Sequence, residues 1–222
     1  MDTAHHTRRA AALAAALVVL ATSAGCRAQP HTTTAAAALT TGTTGAGSAA
    51  TELAALPVAP EDTGVHYDRD DWPHWKPTHG ACNAREDALA AQGTGVRTDA
   101  ECRPIAGTWV SPYDGATVTD PARLDIDHLV PLAEVARSGT RQWTRGQRET
   151  YANDPAVLVV VTAHANRAKG DQDPARWLPD RDRCGYATHW IEVKTRYRLT
   201  VDHAEHDALA AVLARCPGGG EQ

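Results

Sequence analysis

Asp127 and His128 stand side by side in the run Asp125-Ile126-Asp127-His128, and further along the chain Asn166, Arg167 and Lys169 fall within one helical turn. Imidazole is the side chain that most readily exchanges a proton near neutral pH. Carboxylate and amide oxygens are hard ligands, suited to Mg²⁺ or Mn²⁺. An Asp-His pair facing an Asn-x-x-Lys segment therefore holds the parts for proton transfer and cation binding, if the fold brings them together.

The elements that must do so are readable in outline. Arg123 to Val130 alternates polar and apolar as a strand should, and Pro131 ends it. Val157 to Thr162 is a short apolar, β-branched run, the pattern of a buried strand, and Ala163 to about Lys169 reads as helix. Asp127 and His128 thus close one strand, and Asn166 opens the helix after the next. Neighbouring strand residues point to opposite faces, so a break in the ladder at Leu129-Val130-Pro131 is expected to let both reach one site. Asn83 to Gln92 reads as a helix with Asn83 capping and Glu86 reaching back, and Thr144 with Gln147 opens another. Gly93, Gly95 and the Cys102-Arg103-Pro104 segment read as loop. Gly107–Val110 and Ala116–Thr119 flank turn residues Pro112, Asp114 and Gly115. Leu132 to Arg137 suits a short helix. Trp190, Val193 and Tyr197 share a helical face, and Asp202 with Glu205 caps a last helix.

Asp125 to Leu132, Tyr151 to Asp154, Asn166 to Asp171 and Asp173 to Trp177, in that order, resemble the secreted bacterial branch of the HNH, or ββα-metal, endonucleases. The resemblance is strong from roughly Trp109 to Trp177 and looser through Cys184 to Leu213. It implies an α+β fold: a ββα-metal (HNH-type) nuclease core with additional helices. It also implies roles. His128 would be the general base on the attacking water, and Asp127 and Asn166 would hold one divalent cation, Mg²⁺ first and Mn²⁺ next; Asp125, which points like Asp127 along the strand, is a further metal-ligand or supporting candidate. Lys169 and Arg167 would meet the substrate phosphate, and Lys169 would also assist catalysis. The family's last His is Asn166 here. Its central Asn, which orients the base, falls by spacing at about Val157, so Asn153 or a main-chain carbonyl would orient His128.

Each residue also has a blander reading. His128 could be a structural histidine, Asp127 a turn cap, Asn166 an N-cap and Lys169 a solvated helix end. Glu134 reads as a surface helix residue, His164 as structural, Asp171 and Asp173 as loop-shaping, and Trp177 and Trp190 as core. Asp202-His203-x-x-His206 has metal-like spacing but no further ligands, so it reads as a solvated helix face.

The rest of the chain sets the context. Arg8 and Arg9, an apolar run from Ala10 to Ala21 and a small-residue exit ending in Cys26 read as an export signal over 1–26. That run is short for a membrane span. Cys26 offers lipid attachment as an alternative to ordinary cleavage, giving a cell-surface lipoprotein in place of a secreted protein. Residues 27–60, rich in Ala, Thr, Gly and Pro, read as a disordered tether, leaving 61–217 as one nuclease domain. Cys82, Cys102, Cys184 and Cys216 form an even set in an exported chain, which argues for two disulfides. Of three pairings, Cys82–Cys102 and Cys184–Cys216 are favoured because each closes a local segment bracketing a helix.

The formal net charge is −5, becoming −6 without residues 1–25, which argues against tight nucleic-acid binding. The expected partner is DNA, or RNA, read with little sequence specificity; no obligate protein partner is evident. The competing hypothesis is a non-catalytic cell-surface binding module that keeps the scaffold.

Overall fold

The computed structural model describes residues 45–217. The export segment, Cys26 and residues 27–44 lie outside the described residues. Among these residues, no helix is long and apolar enough to cross a membrane.

The first element is a helix, α1 (Gly45–Ala55), and within the described residues it corrects the tether expectation from residue 45 on. Ala46, Ala49, Leu53 and Leu56 are buried in the main core, and α1 packs against helices near the C-terminus. Beyond it, Val58 pairs with Val201, with Ala59 N donating to Val201 O. Alanine costs least to place in a helix, and the buried residues fall on one helical stripe. Composition alone concealed that periodicity.

Helix α2 (Ala84–Gln92) begins where the Asn83 side chain accepts from Arg85 N. Glu86 does not reach back; its Oε2 is buried without a hydrogen-bond partner. The expected loop after α2 is in part a strand, β1 (Thr94–Thr98), paired irregularly with β2 (Pro104–Val110). Gly93 is required there: a Cβ would lie 2.4 Å from Trp109 Nε1, the group that donates to Leu89 O. β3 (Thr117–Val118) completes this antiparallel sheet.

The second sheet pairs β4 (Leu124–His128) with β5 (Leu158–Thr162), antiparallel, in register from Leu124 opposite Thr162 to His128 opposite Leu158. Between them lie α3 (Leu132–Arg137) and α4 (Arg145–Ala152), the latter opened by the Thr144/Gln147 capping box. α5 (Ala163–Lys169) follows β5 directly, then α6 (Arg183–Tyr197) and α7 (His203–Leu213). β5 is apolar from Leu158 to Val161 because it separates two cores. Leu158 and Val160 face a small one with α2, Trp109, Leu124 and Ile126; Val159 and Val161 face the large one with α1, α6 and α7.

Both favoured disulfides are present, Cys82–Cys102 and Cys184–Cys216. One expectation fails at α3. Glu134 is not a surface residue but 1 % exposed, because Lys194 Nζ lies 2.8 Å from its carboxylate. The same ammonium reaches Glu205 at 2.9 Å, Ser138 Oγ at 2.8 Å and Thr200 O at 2.9 Å. Burying one cation obliged the fold to bury its counter-charges.

Candidate active site

Asp127 and His128 keep the strand alternation, and the ladder does not break behind them, since Leu129 N still donates to Val157 O. Asp127 points toward the large core. Its carboxylate accepts from Tyr113 Oη at 2.6 Å, and Lys169 Nζ lies 2.8 Å away. Lys169 is fully buried and also donates to His128 O, 3.2 Å distant. The expectation that Lys169 reaches a substrate phosphate therefore fails: its ammonium lies beneath the site, committed to Asp127. Burial raises the Asp127 carboxyl and lowers the Lys169 ammonium, against the attraction between them. Tyr113 is pushed well above the ordinary phenol value by burial and by the Asp127 charge.

His128 turns the other way. Its ring lies between Trp75 and Tyr151, with centroids 5.8 and 6.4 Å away, and His74 meets it edge-on. His128 Nε2 is 3.0 Å from Ala152 O. A carbonyl only accepts, so Nε2 carries the proton and Nδ1 is left as the basic nitrogen. Burial depresses the imidazole to about 3, so it is neutral at physiological pH. The orienting group is thus a main-chain carbonyl, one of the two alternatives left open by the sequence.

Asn153 does something else. Its Nδ2 donates to Pro73 O (2.7 Å) and Glu149 O (2.8 Å), and its Oδ1 accepts from Lys76 N (2.8 Å). It clamps the segment carrying Trp75, whose φ of 59° lies in the left-handed region, onto the end of α4. Asn153 therefore holds the segment of Trp75, which stacks on His128, and does not itself contact the imidazole. Tyr151 belongs to a segment the resemblance had marked, but nothing in the sequence flagged Trp75 or Tyr113 as neighbours of the site; only the fold brings these distant segments together.

Although Asp127 and His128 diverge, both border one cleft of about 340 Å³, shared with Tyr67, Arg69, Asn166, Gly170 and Asp171. Asp127 is 6 % and His128 4 % exposed. Asn166 enters from α5, its Nδ2 donating to Asp125 Oδ2 at 3.1 Å, while its carbonyl oxygen has no partner among the described residues. Asp125 stands behind Asn166 and does not line the cleft. Arg137 ties Asp171, at the rim, to α3. Arg167 faces away, into a second cleft that also holds His164. His164, expected as structural, is exposed. Asp173 shapes its loop as expected, accepting from Ala175 N. The Asp202/Glu205 capping box is present, with His203 exposed on the helix after it.

Residues 87–212 match the family described as GmrSD restriction endonucleases, C-terminal domain. Over 175 residues, 77 % of this chain and 86 % of the relative, the sequence is 43 % identical to a protein of Arthroderma benhamiae described as an uncharacterized secreted protein. No solved structure matches. The matched span contains every residue of the cleft except Tyr67 and Arg69.

Proposed function

Because this chain belongs to the family of GmrSD restriction endonuclease C-terminal domains, we propose that it is an exported endonuclease that hydrolyses nucleic acid, DNA first and RNA as the alternative substrate, with one divalent cation. In this reading β4, β5 and α5 form the ββα-metal core of an HNH-type enzyme. The observation that carries it is the convergence of Asp127, His128 and Asn166 on one cleft in a member of an endonuclease family.

The donor set fits a hard cation. Asn166 has a carbonyl oxygen without a partner among the described residues, and the Asp127 carboxylate keeps one lone pair on Oδ1 beyond those used by Tyr113 and Lys169. Asp127 and Asn166 would hold the ion, with Asp125 fixing the Asn166 amide. Mg²⁺ or Mn²⁺ there would stabilise charge on the phosphate and on the departing 3′ oxygen. The chain's own contribution is the proton transfer. His128 Nδ1 takes a proton from water as the water oxygen attacks phosphorus and the bond to the 3′ oxygen breaks; that oxygen gains a proton from solvent. Ala152 O keeps the imidazole in the tautomer that makes this transfer workable. Lys169 holds the Asp127 carboxylate in place from below. An anionic phosphate entering the cleft would raise the basicity of His128 above its value in the free protein.

The near-complete burial of His128 favours a second reading, a binding module that kept the scaffold without the chemistry. Plasmid nicking by the purified protein separates the two. Cleavage that needs Mg²⁺ or Mn²⁺, stops in EDTA and falls at least 100-fold (about the contribution of one general base) in His128→Ala supports the enzyme. EDTA-resistant cleavage or full activity in His128→Ala would sink the mechanism, and no cleavage with any metal would leave the binding module.

Disulfides and the secreted relative support export. The signal over 1–26 and lipid attachment at Cys26 remain part of this proposal, to be read from the intact mass of membrane and culture fractions.

A further inference from the structure

The ridge of α5 separates two clefts. Asn166 and Gly170 face the one with His128, while His164 and Arg167 face the other, of about 410 Å³, across from Arg123. Arg123 and Arg167 are exposed, and their guanidinium groups make no ion pair or hydrogen bond among the described residues. By contrast, Arg137, Arg145 and Arg148 are each tied to an acid or a carbonyl. The acid in the cleft is Asp114, and its oxygens are taken up by Thr162 Oγ1 and Ala116 N. Two forked guanidiniums over a concave floor, beside a histidine, suit phosphate oxygens.

We propose that the cleft of Arg123, His164 and Arg167 is a second phosphate-binding site, one that holds nucleic-acid backbone a few nucleotides away from the scissile bond. The proposal rests on the nuclease reading for its ligand. β4 links the two clefts: Arg123 immediately precedes it and His128 ends it. At about 3.3 Å per strand residue, Arg123 and His128 lie roughly 16 Å apart along the chain. Measured along the axis of a duplex, that equals about five base steps at ~3.4 Å each. A backbone crossing the α5 ridge would therefore be gripped at two points, which compensates for an acidic surface elsewhere. The grip is to phosphates, so it confers position and no sequence preference.

The test is the salt dependence of binding, measured by anisotropy of a short labelled DNA duplex in EDTA, so that the probe is not cut. Each backbone phosphate neutralised contributes about 0.9 to the slope of log affinity against log salt. Arg123→Gln/Arg167→Gln is expected to weaken binding and lower that slope by about 1.8. Between about 50 and 200 mM salt the wild-type chain would then lose roughly twelvefold more affinity than the variant. The control is Arg97→Gln/Arg215→Gln, which removes two exposed arginines outside both clefts.

An unchanged slope in the cleft variant, an equal drop in the control, or no duplex binding by the wild-type protein overturns the proposal. Plasmid nicking by the wild-type protein, run in parallel with Mg²⁺ or Mn²⁺, keeps the two readings apart. Nicking with an unchanged slope leaves a nuclease without this site. A lowered slope without nicking leaves a polyanion-binding cleft on a protein that is not a nuclease.

Discussion

His128 is held by contacts that make it neutral, dry and fixed in one tautomer. Trp75 and Tyr151 exclude water from its faces, and Ala152 O takes its Nε2 proton. The cost is a base of low intrinsic strength, depressed to about 3. That depression has a stability consequence. Below about 6.5 the unfolded chain protonates this histidine while the folded one does not, so acid pulls the equilibrium toward unfolding. In metal-free buffer the folded protein should lose about 1.4 kcal/mol per pH unit from this group as pH falls from about 6.5 toward 3. His128→Gln should flatten that portion of the profile in urea titrations. An identical pH profile for the variant would show that His128 is not buried as described.

At the scale of elements, the join between α4 and the segment Trp72–Lys76 sets the environment of the base. Asn153 ends α4, and its amide satisfies two carbonyls and one N–H on segments far apart in sequence. Asn153→Ala leaves those groups without their partner and should cost about 2 kcal/mol. A merely structural role would stop there. A role in holding Trp75 over His128 predicts more: the His128 titration, followed by NMR, should move up from about 3 toward the ordinary imidazole value as water reaches the ring. A destabilised variant with His128 titrating as before would refute that role.

For the whole molecule, the decisive contact is made by residues outside the span matched to the family. α1 supplies Ala46, Ala49 and Leu53 to the core formed with α6 and α7, Leu56 just after the helix adds to it, and the Val58–Val201 bridge fastens the segment beyond. A protein beginning at residue 61 would leave that core face open. Each buried leucine removed costs about 2–5 kcal/mol, so the loss should approach the whole stability of a domain. A protein beginning at residue 45 should keep its urea midpoint, while one beginning at residue 61 should lose most of it or aggregate; equal midpoints would contradict the packing of α1.

The sequence by itself determined what depends on local order. The apolar run of β5, the capping residues Thr144 and Asp202, the even cysteine set and the position of Asp127-His128 at a strand end follow from period, side-chain chemistry and spacing. Tertiary structure decided what depends on partners distant along the chain. Lys169 and Glu134 look like solvated helix residues in sequence, yet each is buried because an opposite charge, Asp127 or Lys194, meets it from another element. Asn153 looked like a candidate to orient the base, and the fold gave that task to the carbonyl of its neighbour Ala152. An alanine-rich stretch looked like a tether until α6 and α7 offered it a surface to bury against. The physical reason is the same in each case: burial reverses the energetic preference of a residue, and only the assembled chain specifies what is buried.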